Sequence, residues 1–319
     1  MISPTLCTFA PPGEYIKDHT LFFRDGYWHL LSISGVQGYS HLHTGNEESF
    51  SWSVSRDLVH WEFRGHVLYA SLREGEFDRH EVWAPFCIRA NEQFHLFYTG
   101  IVHPHRPLCY EREGILNPCP NWEGHRETIG LAVSDDLCAW TKVSDRVKGL
   151  SVPGRDPHVV YDEEGARWLL YSTGGIQGDK YKVYVSQSKD LLNWEFLGVC
   201  ALIPNYDDMV FNPNESITVL KHPLNDRWIL LANWQYTISD NPLDFTHSEV
   251  HEYFDNQPDH RTLIRKLGFA SETIEWDGKW YRSAVMGVTN HWVLGFHEIE
   301  WELDGAFKVV RDSVVKWIF

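Results

Sequence analysis

The phrase Ser-x-Asp-Leu-x-x-Trp returns three times along the chain, from Ser55 to Trp61, from Ser134 to Trp140 and from Ser188 to Trp194. Each copy follows a short apolar strand-like run and closes the same larger pattern. A phrase that recurs at intervals of tens of residues marks a repeat architecture, in which one supersecondary unit cannot bury its apolar face alone. That excludes most folds before composition is considered.

The repeated unit is clearest in its first copy. Asp18 opens an apolar run, Thr20 to Phe23, which turns at Asp25-Gly26 into Tyr27 to Leu31. A second pair follows: Phe50 to Ser55, the turn Arg56-Asp57-Leu58, then Trp61 to Phe63. The second copy runs from Trp83-Ala84-Pro85 through Phe86 to Ile88, Phe94 to Tyr98 and Ile129 to Ser134, closing at Trp140. The third opens at Arg155-Asp156-Pro157, turns at Asp162 to Gly165 and closes through Val183 to Ser186 and Trp194 to Phe196. The fourth opens at Glu215, pairs Ile217 to Leu220 with Trp228 to Leu231, and carries Phe245 in the tryptophan place. The fifth opens at Ala270-Ser271-Glu272, turns at Asp277-Gly278, and closes with Trp292 to Phe296 and Ile299 to Trp301.

Four short strands per copy, joined by Asp, Asn and Gly turns, match the size of a propeller blade. The expectation is an all-β, five-bladed β-propeller of four-stranded antiparallel blades around a central channel. Blade starts fall near 18, 84, 156, 215 and 270, in a single domain covering 1–319. A β-sandwich is the competing fold, but it gives no reason for the phrase to return. Trp61, Trp140 and Trp194 are read as packing residues between blades. The stretch His103 to His125 is the longest insertion; its prolines exclude regular strand and suit a lid or binding loop.

In a propeller the innermost strands line the channel, and their first residues share one rim. Asp18, Asp156 and Glu215 open three of the five copies. Three carboxylates around one pit repel one another, so their proton affinities split. A paired acid and base is the arrangement that glycosidic cleavage uses. The bland alternative is that each acid caps a strand or balances a nearby cation. Metal binding is a further alternative, but no tight ligand-spaced motif is present, and neither a metal nor an organic cofactor is expected.

Formal charge is -16, and no Lys/Arg run occurs, which argues against a nucleic-acid partner and against a polyanionic substrate. A small oligosaccharide or glycoside is the expected partner. The 15 Trp serve as core, as stacking surface for sugars, or both. No run approaches a membrane-spanning length, and Met1 to Pro4 shows no secretory leader, so a cytoplasmic location is expected. The six cysteines form no CxxC motif, although Cys109 and Cys119 are spaced to bridge a loop.

These motifs bring a family resemblance into view. The chain resembles the five-bladed propeller glycoside hydrolases of families 32, 43 and 68. Arg155-Asp156-Pro157 resembles the Arg-Asp-Pro motif of the fructan- and sucrose-cleaving family 32, as does the stretch Trp52 to Glu62. Trp83-Ala84-Pro85 resembles the second-blade opening common in family 43, which acts on arabinofuranosides and xylosides.

The resemblance implies that Asp18 is the nucleophile or general base. It implies that Asp156 holds sugar hydroxyls and tunes the acid, that Glu215 is the general acid, and that Arg155 binds hydroxyls beside Asp156. It implies furanoside cleavage, β-fructofuranosides first and α-L-arabinofuranosides next. A fructosyl transferase and a non-catalytic sugar-binding propeller are the alternatives. Lys17-Asp18-His19-Thr20 stands where family 32 carries Asn-Asp-Pro-Asn-Gly, and Glu215-Ser216 replaces its Glu-Cys pair.

Glu272 and Glu81 are rival acids; Glu272 lies two residues past its blade start, on the same strand face. His158, two residues past Asp156, is placed to bind sugar. His19 either binds a hydroxyl beside Asp18 or ties blades together. Trp83 either stacks on a sugar ring or packs in the core. His291 resembles the fifth-blade histidine that some family 43 members place near the channel centre.

Overall fold

The computed structural model describes residues 8–39, 45–103, 111–112, 115–116, 123–174, 181–204, 215–252, 268–288 and 291–312. The proposed Cys109–Cys119 bridge and most of the long second-copy insertion lie outside them. Cys87, Cys138 and Cys200 are free thiols.

Five four-stranded antiparallel sheets form a ring, a five-bladed β-propeller. The first blade comprises β1 (Glu14–Arg24), β2 (Tyr27–Val36), β3 (Ser49–Ser55) and β4 (Trp61–Tyr69). The second comprises β5 (Glu81–Ala90) and β6 (Gln93–Val102), then, after the small hairpin β7 (Glu111–Arg112) and β8 (Ile115–Leu116), β9 (Arg126–Ser134) and β10 (Thr141–Lys142). The third is β11 (Arg155–Asp162), β12 (Arg167–Thr173), β13 (Lys182–Ser188) and β14 (Trp194–Leu202). The fourth is β15 (Thr218–Lys221), β16 (Trp228–Leu231), β17 (Gln235–Ser239) and β18 (Val250–Glu252). The fifth is β19 (Thr273–Trp276), β20 (Lys279–Val288), β21 (His291–Trp301) and β22 (Phe307–Asp312).

The fifth blade corrects one expectation. Trp292 to Phe296 and Ile299 to Trp301 are not two strands but one, β21, and β22 is the true outer strand. A register shift between Glu298 and Ile299 breaks the alternation midway along β21, which makes one bulged strand read as two.

The recurrent phrase builds one turn three times. Asp57, Asp136 and Asp190 accept backbone N–H bonds two and three residues on, from Val59 and His60, Cys138 and Ala139, and Leu192 and Asn193. Leu58, Leu137 and Leu191 adopt left-handed backbone at φ 57, 71 and 66. Each tryptophan indole N–H then donates to the carbonyl of that leucine. The rings pack across blade boundaries: Trp61 stacks on Phe296 of the fifth blade at 6.3 Å, and Trp194 meets Phe97 of the second edge-on at 5.9 Å. These tryptophans therefore hold blades together.

The ring is closed by an N-terminal strap. Phe9 pairs with Leu294 on β21 through two backbone hydrogen bonds of 2.8 and 2.7 Å, and its ring stacks on Trp61 at 5.6 Å.

The inner strands share a kink near their starts. The pairing register shifts between Ile16 and His19, between Trp83 and Phe86, and between Arg155 and His158. Two residues are bulged out in each case: Lys17-Asp18, Ala84-Pro85 and Asp156-Pro157. Ala84, Asp156, Ser216 and Ala270 all have left-handed φ, between 45 and 53°, which extends the same kink to the fourth and fifth blades. Gly154 and Gly268 precede two of these kinks; a Cβ there would sit 2.2 and 2.3 Å from the carbonyl oxygens of Thr173 and Val285, so only glycine fits.

Candidate active site

The bulges turn five inner strands so that successive residues face one pit at the channel mouth. Aligned on the bulge, the first residues are Lys17, Ala84, Asp156, Ser216 and Ala270, and the second are Asp18, Pro85, Pro157, Ile217 and Ser271. Just before come Trp83, Arg155, Glu215 and Phe269; just after come His19, Phe86, His158, Thr218 and Glu272. Asp18, Asp156 and Glu215 thus do not share one register position, as the repeat suggests. They occupy three successive positions of the kink. A plain strand would point adjacent residues to opposite faces, and the bulge suspends that rule.

Asp18 and Asp156 line the pit together with Ser216 and Glu272. Ser216 joins the two aspartates. Its hydroxyl donates to Asp18 Oδ1 at 2.5 Å, and its backbone N–H points to Asp156 Oδ2 at 3.4 Å. Arg155 gathers the other wall. Its guanidinium donates to both oxygens of Asp156 at 3.1 and 3.0 Å and to Glu215 Oε1 at 2.6 Å, and its Nε lies 3.4 Å from Glu127 Oε1. Thr99 of the second blade fixes the kink by accepting the Asp156 backbone N–H at 3.0 Å.

One guanidinium cannot neutralise three buried carboxylates, so this wall holds protons more readily than free acids do. Burial, with Asp18, Glu215 and Glu127 nearby, pushes Asp156 up to about 7 in spite of Arg155. Burial also raises Glu215 against the pull of Arg155. Arg155 itself stays charged, its burial outweighed by Asp156, Glu215 and Glu127.

The first-blade wall is different. Lys17 Nζ lies 3.1 and 3.2 Å from the two carboxylate oxygens of Glu47, and Tyr15 donates to Glu47 at 2.8 Å. The ammonium also lies over the rings of Trp83 at 5.0 Å and Trp292 at 5.8 Å.

The remaining candidates fall in different places. His19 lines the pit, and its Nε2 meets Ser283 at 2.7 Å, tying the first blade to the fifth. Glu272 lines the pit, and burial raises its carboxyl well above the usual range, with Arg282 as the opposing charge. His158 is buried one layer down; its ring packs on Phe86 at 4.3 Å and its Nε2 bonds to the Val219 carbonyl. Burial lowers both His19 and His158 to about 4, so both are neutral at pH 7. Trp83 is buried, with one face turned to the Lys17 ammonium. His291 is exposed at the first residue of β21, the third strand of its blade rather than the channel-lining one. Glu81 is fully buried at the start of β5.

Four residues of the site are not among the candidates that the sequence offers: Lys17, Glu47, Glu127 and Ser216. Lys17 and Ser216 each adjoin a candidate acid, and that adjacency is the signal that could have found them. Glu47 lies between β2 and β3, and Glu127 on β9; neither carries a local signal. Among the described residues, no group of three or more His, Cys, Asp or Glu side chains is arranged to hold a metal ion.

A protein named probable sucrose-6-phosphate hydrolase from Psychromonas ingrahamii is 25% identical over 209 residues, 62% of this chain and 34% of that one. The chain spans about a third of the length of these curated relatives, the sucrose-6-phosphate hydrolase-like proteins it matches. Among solved structures, a family 32 β-fructofuranosidase of Bombyx mori superposes with a TM-score of 0.65 at 18% identity, covering 97% of this chain and 65% of that one. A family 43 enzyme of Xanthomonas citri, solved with xylose, gives 0.67 at 17% identity over 99% and 97% of the two chains. At such identities these superpositions speak for the fold. The family model described as the glycosyl hydrolases family 32 N-terminal domain matches residues 9–210, and the chain belongs to that family.

Proposed function

We propose that this protein cleaves the glycosidic bond of a furanoside, a β-fructofuranoside in the first place and an α-L-arabinofuranoside in the second. Asp18 is the carboxylate that attacks the anomeric carbon, Glu215 is the acid that protonates the leaving oxygen, and Asp156 with Arg155 holds the sugar hydroxyls. The observation that supports this reading is one hydrogen-bonded chain running from the pit into its wall: Asp18 to Ser216, Ser216 to Asp156, Asp156 to Arg155, and Arg155 to Glu215.

The division of labour follows from charge. A nucleophile must be ionised, and an acid must hold a proton near neutral pH. Burial raises Glu215, which favours its protonated form. Sugar binding loosens the Arg155–Glu215 contact as hydroxyls take over part of the guanidinium, and this favours that form further. Departure of the leaving group returns Glu215 to the carboxylate. It then accepts a proton from the water that hydrolyses the Asp18-linked sugar, so the anomeric configuration is retained.

The test is hydrolysis of a panel of fructosides, arabinofuranosides and xylosides, with the first-formed anomer detected by NMR. Release of fructose from a β-fructofuranoside with retention is the expected result. Inversion would reassign Asp18 as a base acting on water, and failure on every member would remove the hydrolase reading.

A further inference from the structure

Lys17 occupies the first bulge position of the first blade, where the other four blades carry Ala84, Asp156, Ser216 and Ala270 in left-handed backbone. It is thus the one long cationic side chain in that layer, placed immediately before Asp18. Its side chain is only 14% exposed and is fixed from three directions: Glu47 from the β2–β3 connection, Trp83 from β5 and Trp292 from β21. Glu47 is itself fully buried and held by Tyr15. Removing an ammonium from water is costly even when it is paired, and packing alone would be served as well by an apolar side chain. A charge buried at this spot therefore calls for a role that needs charge.

We propose that Lys17 is a positioning residue for Asp18: the clamped ammonium keeps the neighbouring carboxylate ionised and facing Ser216 in a pit otherwise crowded with acids. This rests on the reading of Asp18 as the reacting carboxylate. The groups that face Lys17 are Glu47, Asp18, Glu81 and the Tyr15 phenol, with Glu215 across the pit. Burial pulls the ammonium toward its neutral form, but the charges of Glu47, Asp18 and Glu81 outweigh it and keep it protonated. On the acidic side, Asp156 and Glu272 line the same pit as Asp18, and Glu215 is bound to the Arg155 guanidinium that also holds Asp156.

The experiment pairs an electrostatic readout with a kinetic one. The carboxyl-carbon NMR signal of Asp18 is titrated in the parent, Lys17→Met, Lys17→Arg and Glu47→Gln, and the pH profile of kcat/KM is recorded for each. Lys17→Met is expected to move the titration midpoint, and the acid limb of kcat/KM, upward by at least about one pH unit, as loss of an adjacent opposite charge does. Lys17→Arg keeps both near the parent. Glu47→Gln moves both downward, because it removes a like charge and the competitor for Lys17. A midpoint unmoved in Lys17→Met overturns the proposal even if turnover is lost, since the lysine would then be structural only. If Lys17→Met does not fold, Glu47→Gln decides, and an upward or absent shift there overturns it. A shifted midpoint in a protein that turns over no glycoside keeps the role of Lys17 and removes the hydrolase reading instead.

Discussion

Arg155, on the wall built by the third and fourth blades, faces three carboxylates, whereas Lys17, on the first-blade wall, is ion-paired to Glu47 and flanked by two indole rings. The Arg155 wall has more negative charge than its cation can balance, and its acids hold protons easily. The Lys17 wall pairs its cation with Glu47, and Asp18 beside it accepts a hydrogen bond from the Ser216 hydroxyl. One pit thus contains a side suited to giving and taking protons and a side suited to holding a fixed carboxylate. A two-step displacement needs that asymmetry, since its two acids must differ in protonation at one pH.

The comparison breaks first at Asp18. Asp18→Asn is expected to lower kcat by roughly 10^4-fold on any furanoside that the parent cleaves, and a smaller loss would move the chemistry to another acid. Glu215→Gln comes next, with a loss of about 10^2 to 10^3-fold on natural sugars and a much smaller loss on aryl glycosides, whose leaving groups need no proton. If aryl and natural substrates suffer equally, Glu215 is not the acid.

Arg155→Met tests the other wall through stability. It leaves Glu127, Asp156 and Glu215 without their shared cation and is expected to cost about 3 kcal/mol in urea unfolding. A cost near zero would mean that those acids are already neutral.

Asp156 sharpens the same point through pH. Its carboxyl titrates at about 7 in the folded protein but near 3.9 in an unfolded chain. Between these values the folded state binds a proton that the unfolded state has released. Stability therefore falls as pH rises through that window, by up to roughly 1.4 kcal/mol per unit from this group. Asp156→Asn should flatten the slope, and an unchanged slope would show that Asp156 is ionised throughout. The smallest effect is expected at Glu272, where Glu272→Gln should cost less than about tenfold in kcat, since no step in the mechanism uses its charge. A loss equal to that of Glu215→Gln would make Glu272 the acid.

What was legible in the sequence was local. The Ser-Asp-Leu-Trp turn is written within seven residues, because the aspartate caps its own turn and the leucine takes the left-handed position. Arg155-Asp156 is likewise a contact between neighbours, and the five inner strands follow from the repeat. The bulge was not legible. It admits two residues where alternation counts one and leaves no mark in composition, so three acids one step apart looked like three acids in register. Glu47 and Glu127 were hidden for another reason: their partners Lys17 and Arg155 lie 30 and 28 positions away, and only the folded ring brings them together.

The Phe9 strap has a consequence for the way this molecule forms. Each blade is a set of hairpins whose contacts are close in sequence, so its strands can pair before its faces pack against the neighbouring blades. The pairing of Phe9 with Leu294 joins positions near opposite ends of the sequence. Closing a loop of that length costs entropy before any contact rewards it, which makes it a late event in folding. The pit draws one residue set from the first blade and another from the third and fourth, so it is complete only once the circle is shut. The rate of unfolding should then respond to Phe9→Ala more than the rate of folding does, because interactions formed after the transition state act on escape from the native state.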